Sequence, residues 1–62
     1  MTLVFARSPQ GALHLARSTS FGAALAACGV ELPACELVLA PDAETARRLA
    51  GGAELCECAK TA

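Results

Sequence analysis

The sequence predicts a small α+β domain in which an N-terminal β-hairpin is followed by a strand-helix-strand unit. Alternating apolar residues within positions 2–17 indicate the hairpin, and a capped helical segment between two apolar runs indicates the second unit. Four cysteines and one histidine in a chain of 62 residues suggest that a metal ion pins the two units together. No segment resembles a linker, so residues 1–62 are predicted to form a single small domain.

The hairpin is predicted from two short extended segments joined by a turn. Residues 2–6 form the first strand, where Val4 and Phe5 favour the extended state. Residues 8–11 have the sequence Ser-Pro-Gln-Gly, which is typical of a turn. Residues 12–17 form the second strand.

Alternation along the second strand predicts where its histidine points. Leu13 and Leu15 share one face of the strand, and His14 lies on the opposite face with Ala12 and Ala16. The imidazole is therefore directed away from the leucine face and is available as a ligand.

Residues 18–29 are predicted to form a short helix or helical turn. Ser18 begins a run of good N-cap residues, the alanine-rich segment 23–27 favours helix, and Gly29 is a suitable C-terminal stop. A loop leading into a strand is the alternative.

The second unit begins with a strand at residues 36–40, the best strand candidate in the chain. Asp42 then caps a helix that runs to about Ala50 and is ended by Gly51 and Gly52.

This helix is predicted to pack closely on a sheet. Its inner stripe consists of Ala43, Ala46 and Leu49, and its outer face has Glu44 and Arg48 as an i,i+4 ion pair. A last strand at residues 53–59 is predicted to return beside Leu37 and Leu39 through a crossover connection.

The core of such a domain is thin. The chain is 55% hydrophobic, but Phe5 and Phe21 are its only aromatic residues and most of the remainder is alanine and leucine. Burying a leucine or phenylalanine contributes about 1.5–3 kcal/mol, whereas ordering each residue costs about 1.5 kcal/mol. A metal, a disulfide or a partner is therefore expected to supply part of the cohesion.

The closely spaced Cys56 and Cys58 are the strongest metal signal. On a strand both thiols share one face with Glu54, and their α-carbons are about 6.6–6.8 Å apart, which is poor geometry for a disulfide. Two thiolates can instead share one ion, because zinc-sulfur bonds of about 2.3 Å allow the side chains to converge.

Tetrahedral zinc requires two further ligands. The preferred metal site is His14, Cys28, Cys56 and Cys58, with Cys35 as the alternative to His14. A disulfide between Cys28 and Cys35 is the competing interpretation in an oxidising compartment.

Three short motifs resemble those of small zinc-ribbon-like proteins of high-GC bacteria, most of which are uncharacterised. These motifs are His-Leu-Ala-Arg at 14–17, Ala-Cys-Gly at 27–29 and Cys-Glu-Cys at 56–58. The resemblance covers about half of the chain and implies a small zinc-binding structural or adaptor module with an unknown protein partner. The terminal pair is one residue shorter than the Cys-x-x-Cys of that pattern, and the segment with Cys35 is not part of it.

Several function classes are not expected. A net charge of −1 argues against nucleic-acid binding, and no apolar run is long enough to span a membrane. Catalysis is not expected either, since carboxylates near the cysteines would raise the thiol pKa values and leave no reactive thiolate. Those carboxylates belong to Glu31, Glu36, Glu54 and Glu57.

Two processing motifs provide alternative functions. Residues 25–29 match a lipobox, which would make the chain a bacterial lipoprotein processed and lipidated at Cys28. Residues 49–52 resemble the double-glycine end of a leader peptide. On this interpretation the chain would be a ribosomally made peptide precursor cleaved after Gly52. Because the export signal is weak, a cytoplasmic location with reduced thiols is preferred.

Overall fold

The computed structural model describes residues 2–20, 22–33 and 35–60, and Phe21 lies outside these ranges. The described chain forms six strands and two short helices, namely β1 (Leu3–Arg7), β2 (Ala12–Ser20), β3 (Ala23–Ala26), β4 (Glu31–Leu32), β5 (Glu36–Ala40), α1 (Ala43–Leu49), β6 (Glu54–Leu55) and α2 (Glu57–Lys60). This is the α+β class that the sequence predicts. Neither helix in the described ranges has the length and apolarity needed to cross a membrane.

The sheet has the strand order β4-β3-β2-β1-β5, and β6 lies against β2 off this path. The pairs along the path are antiparallel, whereas β6 pairs with β2 in parallel. Strand β2 is nine residues long and therefore has three different neighbours along its length.

The predicted hairpin is present. Strands β1 and β2 pair with Ala6 opposite His14, and the backbone N–H of Ser8 donates to the carbonyl of Ala12 at 2.8 Å to close the turn. As alternation predicts, Leu13 is fully buried on the face opposite to His14.

The larger hydrophobic cluster lies between the sheet and the two helices. Among the described residues, only two of its buried members, Phe5 and Leu13, are larger than alanine, in agreement with the thin core expected from composition. The buried members are Phe5, Leu13, Ala40, Ala43, Ala46 and Ala59.

A second, smaller cluster lies on the other face of the sheet. Its buried members within the described ranges are Ala6, Ala24, Ala26 and Leu32, and the partly buried Ala16 and Cys35 pack against them. Strands β3 and β4 therefore have a packing role of their own.

The predicted helix at 18–29 is wrong, because β2 continues to Ser20 and residues 23–26 form β3. Burial alternates along β3, with Ala24 and Ala26 buried, which is the period of a strand. Alanine is the strongest helix former, but helix propensity is a weak preference and a helix this short is marginal alone, so pairing with β2 decides the structure. The alternative of a loop leading into a strand was closer to the observed structure.

Helix α1 forms where it was predicted, but its inner stripe differs. Ala43 and Ala46 are buried, whereas Leu49 is 65% exposed. Ala50, one residue further on, packs partly buried against the core instead. Leu49 is therefore not part of the buried stripe. Gly51 and the glycine that follows have positive φ angles of 74° and 85°, which ends the helix as expected.

The predicted last strand is also wrong in length and position. Strand β6 spans only Glu54–Leu55 and pairs with Ala12 and Leu13 of β2, not with Leu37 and Leu39. Helix α1 contacts β5, β2 and β6, so it crosses the sheet and places the following strand, β6, next to β2. The chain then turns into α2.

Asp42 caps α1, and its loss is expected to destabilise the domain modestly. The backbone N–H of Thr45 donates to Oδ1 of Asp42 at 2.8 Å, and this bond holds the pKa of the carboxyl below its usual value of 3.8. A lowered pKa means that the stabilisation is present above the unfolded-state pKa and is lost as the pH falls through the folded-state pKa.

We therefore expect Asp42→Ala to lower the melting temperature at pH 7 by a few degrees. Asp42→Asn keeps an acceptor at the cap and is expected to retain most of the stability at pH 7 without the loss in acid. Thermal melts followed by circular dichroism from pH 3 to pH 7 test this, and equal melting temperatures for Asp42→Ala and the wild type would contradict it.

Candidate metal centre

The candidate metal centre lies where β2 changes its neighbour along one edge. Strand β6 pairs with Ala12 and Leu13, and β3 pairs from Ala16 onward on the same edge. His14 lies between these two pairings. The edge of β2 at His14 is therefore open to the segments that follow β3 and β6.

Two backbone hydrogen bonds place cysteine-bearing segments on either side of His14. The N–H of Cys56 donates to the carbonyl of Leu13 at 2.8 Å, and the N–H of Ala27 donates to the carbonyl of Leu15 at 2.7 Å. Because these carbonyls are two residues apart on one strand, they point to the same edge. The segments with Cys28 and Cys56 are thereby held next to each other.

Cys28 lies in the tight turn that joins β3 to β4. The N–H of Gly29 donates to the carbonyl of Ala26 at 2.9 Å, and the N–H of Ala26 donates to the carbonyl of Val30 at 2.9 Å. Gly29 has a φ of 93°, a conformation that residues with a Cβ rarely adopt. The glycine after Cys28 thus allows the turn that presents this exposed thiol.

Cys56 and Cys58 converge because they occupy the start of α2, not because they share a strand face. The carbonyl of Cys56 accepts from the N–H groups of Ala59 and Lys60 at 2.8 and 3.1 Å, which makes Cys56 the N-cap residue. Cys58 lies in the first turn of this helix. The geometry predicted from a strand was wrong, although the predicted convergence is present.

The four preferred ligands form one cluster. One ligand atom from each of His14, Cys28, Cys56 and Cys58 lies within 4.8 Å of all the others. Nδ1 of His14 is 3.7 Å from Sγ of Cys28 and 3.8 Å from Sγ of Cys58.

These distances are close to those of a tetrahedral zinc site. Zinc-sulfur bonds of about 2.3 Å and zinc-nitrogen bonds of about 2.0–2.1 Å separate nitrogen from sulfur by about 3.5 Å at tetrahedral angles. The observed separations exceed this value by only a few tenths of an ångström. Small side-chain adjustments would therefore allow all four atoms to bind one ion.

The two thiols of α2 differ in their electrostatic environment. Hydrogen bonding from the backbone N–H of Cys58, the largest influence, lowers the pKa of the Cys56 thiol. Burial is the main cause of the raised pKa of Cys58, whose Sγ also donates to the carbonyl of Leu15 at 3.9 Å. The lowered pKa of Cys56 is opposite to the effect expected from neighbouring carboxylates, because the start of α2 points its N–H groups at this sulfur.

Cys35 lies outside this cluster of His14, Cys28, Cys56 and Cys58. It is half-buried beside the smaller hydrophobic cluster, and its Sγ donates to the carbonyl of Gly22 at 3.8 Å. None of the four cysteines, all of which are described, is in a disulfide. Sequence reasoning thus found the clustered side chains but missed the backbone bonds to Leu13 and Leu15, which no residue pattern signals.

Comparisons with family models, with curated proteins and with solved structures find no match to this chain. The interpretation of the site therefore depends on its geometry and chemistry.

Proposed function

We propose that the protein is a small zinc-binding structural or adaptor module in which His14, Cys28, Cys56 and Cys58 hold one zinc ion. The observation that supports this most directly is the convergence of four ligand atoms within 4.8 Å of one another. Three sulfurs and one imidazole nitrogen form a donor set that zinc favours in closed structural sites.

The ion would link three parts of the chain that otherwise share few large side chains. His14 belongs to β2, and Cys28 lies in the turn after β3. Cys56 and Cys58 lie at the start of α2. A closed four-ligand site leaves no position for a substrate, so the proposed role of the ion is cohesion and not catalysis. The partial resemblance to zinc-ribbon-like proteins supports the same role.

The proposed module acts in the reducing cytoplasm through an unidentified protein partner, without nucleic-acid or membrane binding. Reduced thiols remain available to metal in that compartment, and the net charge of −1 gives no electrostatic attraction to phosphates.

Native mass spectrometry of the purified chain, combined with elemental analysis, tests the proposal. We expect one zinc ion for each chain of 6.3 kDa, retained in a neutral volatile buffer and released on acidification. Cobalt substitution provides a second readout, since tetrahedral coordination by thiolates gives characteristic sulfur-to-cobalt charge-transfer bands.

Other masses would reject the zinc module. A chain lacking metal but lighter by the mass of two or four hydrogens would indicate disulfides. A product beginning at Cys28 with attached lipid would indicate the lipoprotein, and a short product beginning at Ala53 would indicate the peptide precursor.

A further inference from the structure

We propose that the outer edge of β5 pairs with β5 of a second copy of this chain, forming a symmetric dimer with a continuous sheet. Among the described residues, β5 is the last strand in the sheet order and no strand pairs with its outer edge. Such an edge presents unpaired N–H and C=O groups to the solvent.

The strand registers identify which groups these are. The carbonyls of Leu13 and Leu15 point away from β1, so the backbone groups of His14 point toward β1 and to its partner Ala6. The pairing of β1 with β5 has no shift, and Phe5 is opposite Val38.

Alternation then assigns the two sides of β5. Phe5 directs its backbone groups toward Val38, and Val38 directs its own back to β1. The N–H and C=O groups of Leu37 and Leu39 consequently point outward at the free edge.

These outward groups are complementary to themselves. A twofold axis through Val38 places Leu37 of one copy opposite Leu39 of the other, and each such pair exchanges two backbone hydrogen bonds. All four outward groups of each strand are then satisfied. Glu36 faces Ala40 of the other copy, so no like charges are opposed.

Both ends of the strand limit the pairing to this register. The N–H of Cys35 is already donated to the carbonyl of Gly22 at 3.1 Å, and Pro41 has no N–H to donate. Residues 36–40 are therefore the whole length available to a second strand.

The side chains at this edge favour a second copy over solvent. Leu37 and Leu39 lie on one face of β5 and are 40% and 62% exposed, and no lysine or bulge protects the strand. Symmetric pairing places these two leucines against their counterparts. The interface is small, so we expect a dimer that depends on protein concentration.

Sedimentation equilibrium of the folded, zinc-supplemented chain, with folding checked by circular dichroism, tests this proposal. Leu39→Lys should weaken dimerisation by at least about tenfold, because the substitution occurs twice in the symmetric contact. Leu49→Lys is the matched control, since Leu49 is 65% exposed but lies on α1.

Amide hydrogen exchange measured at low and high protein concentration tests the register. The amides of Leu37 and Leu39 should gain protection with concentration, whereas those of Val38 and Ala40 should be protected throughout. A chain that stays monomeric at millimolar concentration, or a dimer weakened equally by Leu39→Lys and Leu49→Lys, would overturn the proposal. Amide protection at Leu37 and Leu39 that does not change with protein concentration would also overturn it.

Discussion

Removal of the proposed zinc ion is expected to unfold the domain. Structural zinc contributes an apparent binding free energy of about 10–16 kcal/mol at pH 7 in small zinc modules, and this becomes folding free energy when the site does not exist in the unfolded chain. Here Phe5 and Leu13 are the only fully buried large side chains among the described residues. Packing alone therefore provides little stability to replace that contribution.

Treatment with excess EDTA should abolish the strand signal in the far-ultraviolet circular dichroism spectrum and collapse the dispersion of amide proton resonances. Re-addition of zinc should restore both. EDTA saturated with zinc beforehand is the control, because it adds the same chelator without removing metal. An EDTA-treated chain that keeps a cooperative melt at the original temperature would contradict the expectation.

The affinity for zinc is expected to depend on pH with a known sign. Thiols must lose their protons to bind the ion, so affinity falls as the pH falls. The raised pKa of Cys58 keeps this group protonated at neutral pH in the absence of metal, and zinc binding should release its proton. Titration calorimetry in two buffers of different ionisation enthalpy measures this release.

The fold was predictable where local signals and tertiary contacts agree. The hairpin turn, the strand at 36–40 and the helix capped by Asp42 all formed as expected. In each of them the local preferences of the residues favour the same structure that the tertiary contacts favour.

It was not predictable where distant pairing decides. Residues 23–26 have the composition of a helix, but the extension of β2 offers them a hydrogen-bonding partner, and a strand results. Strand β6 was assigned to the wrong neighbour for a related reason. Its two residues contain no signal that distinguishes the edge of β5 from the edge of β2.

The clustered side chains were predictable although the path to them was not. Cys56 and Cys58 converge through a helix start, where a strand had been expected, and Cys28 arrives through a strand pair where a helix had been expected. Ligand type and number depend on the chemistry of the residues, which the sequence states directly. How the ligands come together depends on hydrogen bonds to the backbone carbonyls of Leu13 and Leu15. Every residue has such a carbonyl, so the sequence does not indicate which ones are used.

The second large effect is expected from substituting a single ligand. Cys58→Ser keeps the size and hydrogen-bonding capacity of the side chain but removes the thiolate, and its hydroxyl is a poor ligand for zinc. We expect zinc affinity to fall by more than the 10–100-fold that is typically lost when a residue hydrogen-bonded to a zinc ligand is removed. Competition with a chelator of known affinity measures the change.

Cys35→Ser is the matched control for this substitution. Cys35 is half-buried like Cys58, and its sulfur donates to a backbone carbonyl, but it lies outside the cluster. The two variants therefore remove the same atom from similar burial and differ in whether that atom faces the other ligands. If the thiols contribute only to packing, the two substitutions should have similar effects on zinc affinity. If Cys58 is a zinc ligand, only Cys58→Ser should lower zinc affinity strongly, and it should also weaken the cobalt charge-transfer bands. Equal zinc affinities for the two variants would therefore exclude Cys58 as a ligand, even if both proteins were folded.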